Sequence, residues 1–288
     1  MRKVAVVTDS TSCLPPEIVK EYDIHVVPLY ILYQGKSYRD GVDMTAQEVY
    51  RIMRRKEDLP TTATAAVGDF LEAFREAAKK AESVLCITLT SILSKTFEAA
   101  MAARSMAKEE FPQTLIEVFD SRAVGGALGF MVTEAAKVAK AGGTLAAAQE
   151  AAKKLMGKVK LYAMLDTLYY LARLGRIGKA AAWAGSLLDM KPILKHSPEH
   201  DETMPVARPR TKKKGIECLL QLLRSGVGNL KLHINIHHAD DLEEAQKLAD
   251  RVRSEFDCAE IYITEFTPLM GVHTGPRAAR FLFLRRLE

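Results

Sequence analysis

An α/β fold in two domains is predicted by three observations on this sequence. Apolar, β-rich runs alternate with helical patterns through the first half, the order that builds a parallel sheet with helices on both faces. Three of those runs end in polar turns, Asp9–Ser12, Thr90–Ser94 and Asp120-Ser121. The second half mixes short strands and helices less regularly. The expectation is an N-terminal Rossmann-like domain over residues 1–157 and a C-terminal mixed α/β domain over 158–288.

Each N-terminal element has a local cause. Lys3–Thr8 is a short apolar run, and Pro15-Pro16 opens a helix to Tyr22 because proline suits a first helical turn. His25–Tyr33 is a second apolar run, and Pro28 within it predicts an edge strand or a bend. Thr45 and Glu48 have capping-box spacing, which predicts a helix to about Lys56. Val67, Phe70, Leu71, Phe74, Ala77 and Ala78 share one helical face. Strand Ser83–Leu89, helix Lys95–Glu109, strand Leu115–Phe119 and helix Val124–Ala141 follow, and Gly142-Gly143 stop the last. Thr144 caps a further helix to about Met156.

In the second half, Lys158–Met164 reads as a strand and Thr167–Leu174 as a helix, interrupted at Gly175–Gly178. An Ala-rich helix is expected over Ala180–Leu188. Lys191–His196 and Thr203–Arg208 read as two short strands around a polar turn. Helix Thr211–Ser225, strand Leu230–His237, helix Asp241–Phe256, strand Glu260–Phe266 and a last strand Phe281–Leu284 complete the pattern.

Composition narrows the function classes. With 288 residues, 48% of them hydrophobic, the chain can bury a large core without disulfide or metal staples. No stretch approaches the ~20 uninterrupted apolar residues that a membrane helix needs. Met1-Arg2-Lys3 runs into Val4–Val7, and charge returns at Asp9, so the apolar segment is too short for a signal-peptide core and a cytoplasmic location is expected. The net charge of +5 is too small to argue for nucleic acid. The four cysteines form no C-x-x-C pair, and no redox motif or zinc site is expected.

Hydroxyl-rich turns are the most informative chemistry. Thr61, Thr62 and Thr64 precede one helix, and Ser91, Ser94 and Thr96 open another. A helix N-terminus favours an anion, and hydroxyls add donors without adding charge. Two such ends brought together would hold a carboxylate or phosphate, although ordinary capping accounts for each hydroxyl taken alone. His273, in Gly271-Val272-His273-Thr274-Gly275-Pro276, reads as a loop histidine and a ligand or acid/base candidate, with an idle surface histidine as the plainer alternative.

Other features carry less. His237 and His238 point to opposite faces of a strand, so no metal site is expected with His233 there. Ser94, His273 and Asp120 can be drawn as a hydrolase triad, but no Gly-x-Ser-x-Gly elbow surrounds Ser94. Gly125-Gly126-Ala127-Leu128-Gly129 departs from dinucleotide-loop spacing. Arg208–Lys214 is a basic run without the interleaved aromatics of a single-strand nucleic-acid binder.

In order along nearly the whole chain, these turns resemble the motifs of the DegV family of bacterial fatty-acid-binding proteins (EDD fold). The matching segments are Val7–Thr11, Val27-Pro28-Leu29, Tyr38-Arg39-Asp40, Pro60-Thr61-Thr62, Leu93–Phe97, Asp120-Ser121, Leu174–Ile177, Lys191–Leu194, Arg210-Thr211 and His273–Pro276. Lys95 stands where the family motif has glycine, facing either solvent or the ligand carboxylate. Thr64-Ala65 and Arg277 are further departures.

The resemblance implies a two-domain protein holding one long-chain fatty acid (palmitate, stearate or oleate type) between its domains, in an apolar tunnel. By position, Thr62, Ser94 and His273 would hold the carboxylate, with Thr61 and Thr96 assisting. It implies no other cofactor and no ATP site. Some members of the family present the acid to a separate ATP-dependent fatty acid kinase, which makes acyl phosphate for phospholipid metabolism. Arg210, and Arg176 in another family motif, are the residues implied in that step or contact. A lipid carrier rather than an enzyme is the leading expectation. A Ser94/His273 acyl hydrolase and a nucleic-acid-binding regulator using Arg208–Lys214 are the alternatives.

Overall fold

The computed structural model describes residues 2–183, 190–227, 231–276 and 280–286. The N-terminal half contains β1 (Arg2–Asp9), α1 (Pro16–Tyr22), β2 (His25–Val27), β3 (Tyr30–Tyr33), β4 (Lys36–Arg39), α2 (Ala46–Arg55) and β5 (Thr61–Ala63). It continues with α3 (Val67–Ala78), β6 (Ala81–Thr88), α4 (Thr96–Glu110), β7 (Leu115–Asp120), α5 (Gly126–Lys140) and α6 (Leu145–Lys153).

Four of these strands form a parallel sheet in the order β2-β1-β6-β7. Val7 lies beside Cys86 and Cys86 beside Val118, three apolar residues of a sheet covered on both faces. The polar turns therefore emerge together at the carboxyl ends of β1, β6 and β7. Chain order changes direction at β1, and such a switch point is where α/β sheets bind ligands. The capping box is present, with Glu48 N–H donating to Thr45 Oγ1 at 3.3 Å and Thr45 N–H to Glu48 Oε2 at 2.7 Å.

The run 25–33 differs from a single strand. Proline at position 28 has no N–H to offer a ladder, and the chain breaks there into β2 and β3, which join different sheets. β3 is the centre of a small antiparallel sheet, β4-β3-β5, that periodicity does not disclose. Its strands are only three or four residues long, too short for an alternating pattern to register.

The second half contains β8 (Val159–Met164), α7 (Tyr169–Arg173), a 3-10 turn at Gly178–Trp183, β9 (Ile193–Ser197), β10 (Glu202–Ala207) and α8 (Lys212–Val227). It ends with β11 (Leu232–His238), α9 (Leu242–Glu255), β12 (Cys258–Glu265), α10 (Pro268–Thr274) and β13 (Arg280–Arg286). These strands form one mixed sheet, β10-β9-β8-β13-β11-β12. The Ala-rich segment begins as the 3-10 turn rather than an α-helix, and positions 184–188 of the expected helix lie outside the described residues, as does Arg277.

One hydrophobic cluster runs from the first sheet into β8, α7 and α10, while a second packs α8 and α9 on the far side of the mixed sheet. Among the described residues, no helix is long and apolar enough to cross a membrane.

Candidate functional site

A cavity lies between the carboxyl ends of the parallel sheet and the face of β8 and β9. It encloses about 900 Å³, open solvent at its mouth included. Most of its wall is aliphatic, with Leu29, Leu89, Leu161, Leu165, Leu194 and Leu269 prominent. Among the described residues, no carboxylate lines it.

The larger group of polar side chains lies at one end, brought there by three elements. β5 carries Thr62, which lines the cavity, whereas its neighbour Thr61 points to the other side and is exposed, as strand alternation requires. Ala63 and Thr64, which follow Thr62, line the cavity as well. The turn before α4 supplies Ser94, and the first residue of α4 is Thr96. Ser94 Oγ and Thr64 Oγ1 each lie 2.8 Å from Thr96 Oγ1, so the buried Thr96 joins two helix-end hydroxyls into one chain. Lys95 is not part of it. Its side chain is 81% exposed and its ammonium pairs with Glu98 at 2.9 Å, which settles the direction in favour of solvent.

The third element is α10. His273 sits in its last turn rather than in a loop, because Pro268 starts a helix that runs to Thr274 before Gly275 turns away. Gly271 permits close packing of α10 on α2, since a Cβ there would stand 2.7 Å from Tyr50 Cε1. The buried Asp40 accepts the backbone N–H of Leu269 at 2.8 Å and anchors the first turn. His273 Nε2 then lies 3.2 Å from Thr62 Oγ1. Burial, followed by the nearby positive charge of Arg176, pushes the imidazole pKa down to about 4. The ring is neutral at pH 7 and can donate or accept one hydrogen bond.

Arg176 lines the cavity and is exposed, with Nε 3.3 Å from the Leu93 carbonyl and a second bond to the Leu174 carbonyl. Arg210 is exposed just before α8 and does not line the cavity. Asp120 is engaged elsewhere, accepting the N–H groups of Ser91 at 3.3 Å and Arg122 at 3.0 Å. Ser94, His273 and Asp120 thus have separate partners. Among the described residues, no group of three or more His, Cys, Asp or Glu is placed to hold a metal ion.

Two contributors carry little signal in the sequence. Thr64 stands in a hydroxyl-rich turn, but the family motif has a different residue at its place. His196 is 2% exposed and lines the opposite end of the cavity, but it occupies a plain strand position with no signal around it.

The profile described as "Uncharacterised protein, DegV family" matches residues 3–286. The chain belongs to the DegV family. A DegV domain-containing protein of Caldanaerobacter subterraneus is 32% identical over 284 residues, covering 98% of this chain and 99% of the relative. Among solved structures, a DegV family protein of Thermus thermophilus described for its fatty acid binding superposes with a TM-score of 0.90 at 30% identity, over 100% of both chains. DegV of Bacillus subtilis, a fatty acid binding protein, gives a TM-score of 0.87 at 30% identity, over 99% of this chain and 100% of its own.

Proposed function

We propose that this protein binds one long-chain fatty acid, with its tail in the aliphatic cavity and its carboxylate at the end marked by Thr62, Ser94 and His273. The observation that carries this reading is the make-up of that cavity: an aliphatic wall, no carboxylate among the described lining residues, and the hydroxyls of Thr62, Thr64 and Ser94 gathered beside the neutral His273. Neutral donors hold a carboxylate without locking it into an ion pair, and a hydrogen bond to a charged group contributes about 1.5–3 kcal/mol. The tail contributes ~0.8 kcal/mol per buried CH₂ and dominates affinity. Fatty acid binding by the relatives from Thermus thermophilus and Bacillus subtilis supports the same ligand class.

The reading extends to a cytoplasmic carrier that presents the headgroup to an ATP-dependent fatty acid kinase. Arg176 at the cavity and Arg210 before α8 are the proposed contacts, both exposed. The division of the chain at residue 157 belongs to the same proposal, and it is supported by the sheets: the two of the first half share no strand with the mixed sheet of the second. Native mass spectrometry tests the core of the reading. Protein purified from cells should carry one fatty acid mass, and delipidated protein should take up stearate, palmitate or oleate at one per chain. A ligand-free protein that takes up none of them would refute it.

A further inference from the structure

We propose that the end of the cavity remote from His273 is an acceptor subsite for a hydroxyl carried part-way along the acyl chain, so that mid-chain hydroxylated fatty acids are preferred ligands. This deepens the fatty-acid reading and rests on it.

Strand β8 runs along the cavity, with Leu161 and Ala163 facing it and Leu165 just beyond the strand end. The Leu165 end leads directly into α7. There the Tyr170 ring packs against Gly275, one residue past α10, and Arg173 Nη1 donates to the Pro60 carbonyl just before β5 at 2.8 Å. That is the end where Thr62 and His273 meet. At the other end Leu161 pairs with His196 of β9. Four residues of extended chain separate the two ends by roughly 13 Å, at ~3.3 Å per residue.

Three polar side chains line the remote end, Thr11, His196 and Thr203, and their hydrogens are already committed. His196 Nε2 lies 2.8 Å from the Arg122 carbonyl, which can only accept, so Nε2 carries the ring proton. Nδ1 is then the acceptor of the neutral ring and takes the hydroxyl hydrogen of Thr203 at 3.0 Å. Thr11 is tied to the same loop, since its carbonyl accepts Gly125 N–H at 2.9 Å. Its hydroxyl donates to Asp9 Oδ1 at 2.5 Å. The hydrogen-bonding capacity left on these two hydroxyls is lone pairs, on Thr203 Oγ1 and Thr11 Oγ1.

A plain methylene chain laid against these oxygens removes water from them and returns nothing. A ligand hydroxyl donates to Thr203 Oγ1, the less buried of the two. A carboxylate, which only accepts, is disfavoured there, and this directs the headgroup to the His273 end.

The test uses full-length delipidated protein and compares stearate with two isomers of hydroxystearate, one hydroxylated mid-chain and one beside the carboxylate. The isomers have the same composition, so differences in bulk solubility largely cancel. The mid-chain isomer should bind roughly three- to tenfold tighter than the other, the factor that one neutral hydrogen bond contributes. Thr203→Val should bring that ratio to about one, and Thr203→Ser should retain it. The isomer ratio in the unaltered protein is decisive even where Thr203→Val does not fold. Equal binding of the isomers, or a preference that survives Thr203→Val, overturns the inference and leaves fatty-acid binding standing. Failure to bind stearate at all overturns the parent reading instead.

Discussion

Thr62 and His273 are 211 positions apart in the chain, yet Oγ1 of one lies 3.2 Å from Nε2 of the other. The contact joins the small antiparallel sheet of the first half to α10 of the second. It closes the end of the cavity to which the proposed function assigns the carboxylate.

Removing the imidazole should weaken carboxylate recognition more than tail burial. His273→Ala is expected to lower affinity for stearate by about 1.5–3 kcal/mol, the contribution of one hydrogen bond to a charged group. Fluorescence-probe displacement reads this directly. Ser94→Ala should reduce acyl phosphate formation by the kinase proportionally more than lipid uptake. Equal losses in the two assays would argue against a headgroup role for Ser94.

The half-buried imidazole also gives a signature in the stability of lipid-free protein. Its folded pKa, about 4, lies below the ordinary value of 6.5. Between those two values the unfolded chain binds the proton and the folded chain does not, so stability falls as pH drops from 6.5 to 4 and this loss levels off below 4. Asp9 acts with the opposite sign. Burial raises its pKa from 3.8 to about 6, so its folded form holds a proton that the unfolded chain releases, and stability falls as pH rises across that window. Comparing urea midpoints of wild type and His273→Gln across pH isolates the histidine. The wild type should lose ground to the variant only on acidification, and a difference that does not vary with pH would contradict the assignment.

Local chemistry made much of the first half legible. Thr45 and Glu48 announce their capping box, and the hydroxyls after β1 and β6 stand at strand ends as the alternation requires. Residues placed by distant partners were not legible. Which of Thr61 and Thr62 faces the ligand depends on the pairing of β5 with β3, set by residues about 30 positions away. The helical state of His273 depends on Pro268 starting a turn that Asp40 completes from the other half. The place of His196 at the cavity follows from its register beside Leu161, and its own neighbours give no hint of it.

Lys95 tests how far the motif departure matters. Its ammonium faces solvent and pairs with Glu98, an exposed i,i+3 contact of the kind that contributes a few tenths of a kcal/mol. Lys95→Gly should therefore leave stearate affinity within about twofold. It should lower thermal stability slightly, since the pairing with Glu98 in the first turn of α4 would be lost. A large gain or loss of lipid affinity would mean that the side chain swings inward when ligand binds.

Gly275 couples the fold to the site most tightly. Its φ of +84° with ψ of 164° is a backbone conformation essentially reserved to glycine. A Cβ at this position would stand 2.3 Å from Tyr170 Cε2 and 2.5 Å from Cδ2, so the ring of α7 would have to move. Gly35 is the control: it also has positive φ, at +73°, but a Cβ there meets nothing within 4 Å. Both Ala variants carry a backbone cost, and Gly275→Ala adds the clash together with a ψ of 164° that L side chains avoid at positive φ. The clash and the backbone together should cost about 1–3 kcal/mol or more beyond the Gly35→Ala loss. Because Tyr170 and Gly275 flank the end where His273 sits, Gly275→Ala should also weaken lipid binding, whereas Gly35→Ala should not. Chemical denaturation and stearate titration of the pair separate the two effects. Equal destabilisation by both substitutions would show that α7 yields to the added methyl without strain.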